Sequence, residues 1–320
     1  MKSVVYLSSF LVRFLLVFAF TGGSPLLLGG SDNAPAFRLA TWNIYDYLTR
    51  DRMVEGMWTF QYPKPEEEKT AVRAIIHKID ADVWALQEFG EWGDLRELQR
   101  DLQREGLDYP FVYLMEGLDP VRRTAVMSRF EAVKVRAVTD LDFPYFGERI
   151  GVKRGLHELH FEIGGERWIL FNLHLKSRLT DEREDPRSEV RRTSEARVIR
   201  DYIRHTYPPD EVAFVIAGDV NDTAGSAPLR RLTQVSGRTI TRRLDAEDSR
   251  GQRWTHRFRR EDAYTRVDYI LPSPAFELRW ELMGMAIDDD PRVLIASDHR
   301  PVWTDWRLRP ATLAKGQPEE

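Results

Sequence analysis

Apolar residues along this chain recur in two rhythms. From Phe37 onward, short runs rich in β-branched and aromatic residues alternate with turn signals, most clearly at residues 37–44, 82–87, 124–128, 156–163, 168–175, 213–217 and 266–271. Runs of that length and composition predict strands. Gly164-Gly165, between Ile163 and Glu166, predicts a tight hairpin joining two of them. Helical spacing predicts helices over residues 66–79, 92–105 and 188–205. The last sets Val190, Ala196, Val198, Ile199 and Ile203 among many arginines. No internal repeat and no Pro/Gly/Ser linker divides the chain. One α+β domain over residues 35–308 is therefore expected, followed by a polar tail, 309–320, that should fray.

The first thirty-odd residues break this pattern. Lys2 precedes an apolar stretch, residues 4–20, interrupted by Arg13. Small residues follow, at Gly22-Gly23-Ser24 and again over 29–36. A basic start, an apolar run and a small-residue exit predict a secretory signal over residues 1–34, and so export to the periplasm or beyond. The run is short for a stable membrane span. An uncleaved anchor, or a start codon placed upstream of a cytoplasmic enzyme, is the competing account.

Composition narrows the chemistry. With 47 Lys and Arg against 51 Asp and Glu, the net charge is −4, so any attraction to a polyanion must come from local patches. Two arginine clusters qualify: Arg187, Arg191, Arg192, Arg197 and Arg200, and a second over residues 250–260 that includes Trp254, His256 and Phe258. A solvated helix face with internal acid pairs such as Glu189, Glu195 and Asp201 explains the first equally well. The absence of cysteine excludes disulfides, thiol nucleophiles and thiolate metal sites.

Polar residues sit in or at the ends of the predicted strands. Asn43 follows Leu39-Ala40-Thr41-Trp42, and Glu88 follows Val83-Trp84-Ala85-Leu86-Gln87. His174 lies in Asn172-Leu173-His174-Leu175. Asp219 and Asn221 close Gly218-Asp219-Val220-Asn221-Asp222, Asp268 lies in Arg266-Val267-Asp268-Tyr269, and Asp298 and His299 open Asp298-His299-Arg300-Pro301. Asp219 and Asn221, two apart, face the same side of an extended chain. A fold that gathered these groups would hold oxygen ligands suited to Mg²⁺ or Mn²⁺ and a histidine–carboxylate pair able to take a proton from water. That combination suits phosphoryl chemistry. No His-Glu-x-x-His, Walker loop or Gly-x-Ser-x-Gly motif occurs.

Taken together and in this order, Thr-Trp-Asn-Ile, Leu-Gln-Glu, Asn-Leu-His-Leu, Gly-Asp-Val-Asn-Asp, Arg-Val-Asp-Tyr-Ile-Leu and Ser-Asp-His-Arg-Pro-Val resemble the endonuclease/exonuclease/phosphatase superfamily, deoxyribonuclease I-like enzymes included. The resemblance runs from about Phe37 to Leu308. It implies an α/β four-layer sandwich of two packed mixed sheets flanked by helices. It implies that Glu88 is the principal metal ligand, with Asn43 beside it and Asp298 assisting. By the same likeness Asp219 and Asn221 orient water and a phosphate oxygen, and His299 is the catalytic histidine polarised by Asp268. His174 matches a second histidine that contacts phosphate or protonates the leaving oxygen, and Arg154 a phosphate-binding arginine. One departure stands out. Where the deoxyribonuclease I branch pairs that second histidine with a glutamate, this chain has Arg122-Arg123-Thr124-Ala125-Val126, with no acid in register.

The expected function is metal-dependent phosphodiester hydrolysis, with nucleic acid the favoured substrate and a monomer the expected form. A phosphatase or sphingomyelinase-like hydrolase of a small or lipid phosphoester is the alternative, and a non-catalytic binding module a more distant one. His157 and His160, three apart on a strand, point to opposite faces. His77, His205 and His256 have no ligand-like context. The long segment 45–65 carries Trp58, Phe60 and Tyr62, which either form a lip of the site or pack beneath the loop.

Overall fold

The computed structural model describes residues 34–180 and 182–310. The expected signal over 1–34, save its last residue, and the tail beyond Pro310 lie outside the described residues. In chain order the first sheet strands are β1 (Ala36–Tyr47), β2 (Val83–Phe89), β3 (Phe111–Met115), β4 (Arg123–Ser128), β5 (Ala132–Val138) and β6 (Leu156–Ile163). They are followed by β7 (Glu166–His174), β8 (Phe214–Asp219), β9 (Asp268–Pro272), β10 (Trp280–Ile287) and β11 (Val302–Leu308). A six-stranded sheet runs β10-β11-β1-β2-β4-β3, and a five-stranded sheet runs β9-β8-β7-β6-β5. Both are mixed: β1 lies parallel to β2 and β7 to β8, while β11, β6 and β9 pair antiparallel with their neighbours.

Period-two alternation sorts each strand between two cores. On β1, Leu39 faces the second sheet while Ala40, Trp42 and Ile44 face outward. On β8, Val215 and Ala217 face the first sheet while Phe214 and Ile216 face outward. Val83, Ala85, Leu159, Phe161, Trp168, Leu170, Ile270 and Trp306 fill the space between the sheets. Helices α1 (Glu66–Ile79) and α2 (Trp92–Arg104) cover the outside of the first sheet with Val72, Ile75, Ile76, Leu95, Leu98 and Leu102. Helix α3 (Glu189–Thr206) covers the second with Ala196, Ile199 and Ile203. The result is the expected four layers, helix–sheet–sheet–helix.

Local chemistry sets the boundaries. Glu66, Glu67 and Glu68 favour the positive end of the α1 dipole, and Asp80, with φ 52°, turns the chain out of it. At the start of α2, Asp94 accepts the Glu91 N–H at 2.8 Å. Gly164 and Gly165 take φ 62° and 80° in the predicted hairpin between β6 and β7.

The segment read as a loop, 45–65, differs from expectation. It contains a hairpin of Arg50–Val54 against Met57–Tyr62. Its turn, Glu55-Gly56, uses two left-handed residues without the Asn-Gly or Asp-Gly signal. Strand β5, at a sheet edge, is mostly exposed and carries Lys134 and Arg136, so it gave a weak apolar run. Among the described residues, no helix is long and apolar enough to cross a membrane.

Candidate active site

The rows of side chains between the sheets turn polar at one end. Asn43 lies two residues past Thr41 on β1, His174 two past Asn172 on β7, and Asp219 two past Ala217 on β8, while Asp268 lies two before Ile270 on β9. Register completes the alignment: His174 stands opposite Asp219, and Asp219 opposite Asp268. Asp268 thus opens its strand rather than closing it, because β9 runs antiparallel to β8. Asp298 and His299 lie in the turn before β11.

Glu88 reaches the site by another route. Its parity matches Trp84 and Leu86, which face the outer helices. A register shift after Gln87 and a left-handed φ of 66° re-aim it. Gly218, with φ 141°, is required by packing, since a Cβ there would stand 2.0 Å from the Leu173 carbonyl oxygen. Asn221 is not carried on the strand with Asp219, as its spacing suggested. It sits past the strand end at φ 56° and donates its N–H to Asp219 Oδ1 at 2.7 Å.

These groups form one network. Asn43 Nδ2 donates to Glu88 Oε1 at 3.3 Å and to Asp219 Oδ2 at 3.1 Å, and the Asp46 N–H donates to Glu88 Oε2 at 3.1 Å. His174 Nε2 lies 3.4 Å from Asp219 Oδ2 and 4.0 Å from Glu88 Oε1. His299 Nδ1 lies 2.9 Å from Asp268 Oδ2, with Nε2 3.9 Å from Asp219 Oδ2. Arg154 lies buried behind His174, donating to the Leu175 carbonyl at 3.1 Å and pairing with Asp119 at 3.2 Å. All nine residues singled out in the sequence are therefore brought to one end of the inter-sheet gap.

Several neighbours carried no signal of their own. Asp46 is buried and holds Arg122 at 2.7 Å, with Arg50 also on its carboxylate, and Arg122 Nε lies 3.5 Å from Glu88. A cation thus stands where the resemblance led one to look for an acid. His174 Nδ1 has no hydrogen-bond partner among the described residues. His256, without ligand-like context in the sequence, packs against His299 with ring centroids 4.5 Å apart and the rings tilted by 39°, and its Nε2 lies 3.8 Å from Asp298. The two histidines are joined by an isolated β-bridge, a long-range pairing that no local pattern announces. Gln87 and Asn172, 2.8 Å apart, form a polar tie between the sheets beneath the site.

The field is strongly negative. Desolvation, then the charges of Asp46 and Asp298, push the Glu88 carboxyl above its ordinary range. Desolvation and Asp268 do the same to Asp219. Burial opposes a charge on His299, yet Asp268 and Asp219 outweigh it and lift the imidazole to about 10. Burial, aided by Arg154 and the other nearby cations, holds His174 well below its ordinary value and so neutral. Carboxylates raised by burial and by one another are groups that a divalent cation would relieve. Asn43, Glu88 and Asp298 offer hard oxygen ligands, and the buried Asp298 Oδ1 has no hydrogen-bond partner among the described residues. Ligand atoms of Asp219, Asp268 and His299 lie within 4.8 Å of one another, as do those of His256, Asp298 and His299. The donor set fits a metal.

The solved structures similar to this one include an endonuclease/exonuclease/phosphatase from Bacteroides vulgatus, at 16% identity and TM-score 0.61, covering 86% of this chain and 99% of that one. The human Nocturnin catalytic domain with bound sulfate matches at 16% identity and TM-score 0.59, covering 86% and 95%. A mannosyl-6-phosphatase from Bacteroides thetaiotaomicron matches at 14% and 0.56, covering 84% and 99%. At such identities the likeness speaks for the fold. No match was found among curated proteins. The model of the Endonuclease/Exonuclease/phosphatase family matches residues 40–299, a span that holds every site residue from Asn43 to His299, and the chain belongs to that family.

Proposed function

We propose that the chain is an exported, divalent-metal-dependent hydrolase of phosphodiesters that uses water as its nucleophile. The observation that carries this reading is the His299–Asp268 pair at 2.9 Å, opening onto Asp219 beside the oxygen ligands of Glu88 and Asn43. Asp268 anchors Nδ1, so Nε2 is the atom that takes a proton from the attacking water. Asp219, steadied by Asn43 and Asn221, orients that water and a phosphate oxygen. Asn43, Glu88 and Asp298 would hold the metal. Bound there, Mg²⁺ or Mn²⁺ supplies Lewis acidity at a phosphate oxygen and offsets the negative field that otherwise keeps a proton on His299.

Neutral, and with no partner on Nδ1 among the described residues, His174 donates a hydrogen bond to phosphate rather than a proton to the leaving oxygen. Arg154, tied to Asp119 and a carbonyl, contributes positive field to the phosphate from behind.

Nucleic acid is the substrate favoured by the sequence. A lipid or small phosphoester gains support from one observation: several arginines that were candidates to follow a phosphate backbone are drawn into pairs. Arg192 is held by Asp222 at 2.9 Å, Arg200 by Asp201 at 2.7 Å and Arg257 by Asp262 at 2.9 Å. The test is hydrolysis of plasmid DNA, single-stranded RNA, bis-p-nitrophenyl phosphate, sphingomyelin and an inositol polyphosphate, each with Mg²⁺, Mn²⁺ or chelator. Metal-dependent turnover of a diester supports the reading. No turnover on any substrate with either metal would leave a binding module instead.

A further inference from the structure

We infer that the face around this site docks on a zwitterionic phospholipid surface through the Arg50–Val54/Met57–Tyr62 hairpin, so that the phosphodiester it takes is held in a lipid. The substrate half of this rests on the proposed hydrolase function; the docking half does not.

The hairpin is amphipathic in the reverse of the usual sense. Arg52, paired with Thr59, is buried against the body. Met53, paired with Trp58, looks outward together with Phe60, two residues further on. Met53 is 63% exposed, Met57 at the turn 68%, Trp58 57% and Phe60 71%. Strands with one wet face ordinarily place polar residues there, and a contiguous apolar patch of this kind marks an interaction surface. It is anchored to the site: Arg52 donates to the carbonyls of Asp46 and Leu48 at 2.6 and 3.0 Å, and Arg50 pairs with Asp46, whose N–H holds Glu88. Exposed Val121, next to Arg122, lines one cleft with Gln61 at the foot of the hairpin.

Charge selects the occupant. Arg52 is buried and the partly exposed Arg50 is neutralised by Asp46, which leaves Asp51 and Glu55 as the hairpin's other charges. A single-stranded polynucleotide stacking on Trp58 and Phe60 would need cations there for its phosphates. An indole and a phenyl ring suit a membrane interface, and methionine side chains suit hydrocarbon. The two carboxylates favour a zwitterionic over an anionic surface. A second copy of the chain is a poor occupant, since four side chains fall short of the ~800 Å² per partner of a stable interface.

The test uses the chain from Ala34 onward, which forms a compact unit of its own. Sedimentation with phosphatidylcholine–sphingomyelin vesicles is compared for wild type and the Trp58→Ala/Phe60→Ala double variant, with bis-p-nitrophenyl phosphate hydrolysis as the soluble control. Vesicle partitioning should fall at least about tenfold in the double variant. Turnover of vesicle lipid should fall with it while soluble turnover stays unchanged. Absent wild-type binding, or binding that the double variant retains, would overturn the docking. So would a double variant that loses affinity for a single-stranded oligonucleotide instead, or one that dissociates a wild-type dimer. Vesicle binding without any soluble turnover would uphold the docking and sink only the hydrolase reading.

Discussion

Ser297 donates its hydroxyl to the backbone carbonyl of Asn43 at 2.7 Å, across 254 residues of chain. Ser297 Oγ in turn accepts the His299 N–H at 2.9 Å, and the Trp42 indole donates to the His299 carbonyl at 2.9 Å. The proposed metal side of the site and its proposed base are therefore fixed to one another through a buried serine. Ser297→Ala should cost about 1–3 kcal/mol, because it leaves a buried acceptor and a buried donor unpaired. Chemical denaturation reads that loss. Chromogenic diester kinetics should show kcat falling more than KM rises, and unchanged kcat would break the link between this clamp and catalysis.

Gly218 permits the contact between β7 and β8 that lines up His174 and Asp219. An alanine there meets the Leu173 carbonyl oxygen at 2.0 Å with φ at 141°. Gly218→Ala should destabilise the protein by about 3 kcal/mol or more. A thermal midpoint within a degree of wild type would contradict the strand register described above.

Much of this site was legible because alternation is a local property. Once residues 213–217 read as a strand with Val215 and Ala217 inward, Asp219 had to follow them, and Trp168, Leu170 and Asn172 carry His174 in the same way. Glu88 shows the limit. Its strand was clear, but parity alone would turn it toward α1 and α2, and only a left-handed backbone reverses that. Asp46 with Arg122, and His256 with His299, are pairings between distant segments that no window of sequence contains. Edge strands such as β5, with Lys134 and Arg136, carry too much charge to stand out from loops.

Away from the site, Glu158 is buried on the outer side of the second sheet. It accepts from Tyr202 and Tyr207 at 2.5 Å each and lies 2.7 Å from His160 Nε2. Desolvation works against its charge, but these three partners win and hold the carboxyl at about 2, below its ordinary 4.5. Because the folded value lies below the unfolded one, the stabilisation is complete above about pH 4.5 and is lost as pH falls through about 2. Glu158→Gln should lower stability at pH 7 by about 1–2 kcal/mol, discounted for solvent screening, and flatten the loss between pH 4.5 and 2. Urea melts across that range decide it; parallel curves for the two proteins would contradict the assignment.

Metal binding has a readout that does not need turnover. A hundredfold excess of Mg²⁺ or Mn²⁺ over Kd should add about 2.7 kcal/mol to the stability of chelator-treated protein. Glu88→Gln should abolish the increment. Without metal, that variant should be no less stable than wild type, because it removes a carboxylate that desolvation, Asp46 and Asp298 already disfavour. An increment surviving in Glu88→Gln would move the metal elsewhere.

The central claim is that His299, held by Asp268, activates water beside a metal. Its most direct test is the rate of bis-p-nitrophenyl phosphate hydrolysis by wild type and His299→Ala, each with Mn²⁺ and with chelator. Wild type should turn over only with metal, and His299→Ala should retain metal-induced stabilisation while losing about 10²–10⁴ in kcat. Turnover that survives chelation, or a His299→Ala variant as fast as wild type, would contradict the account.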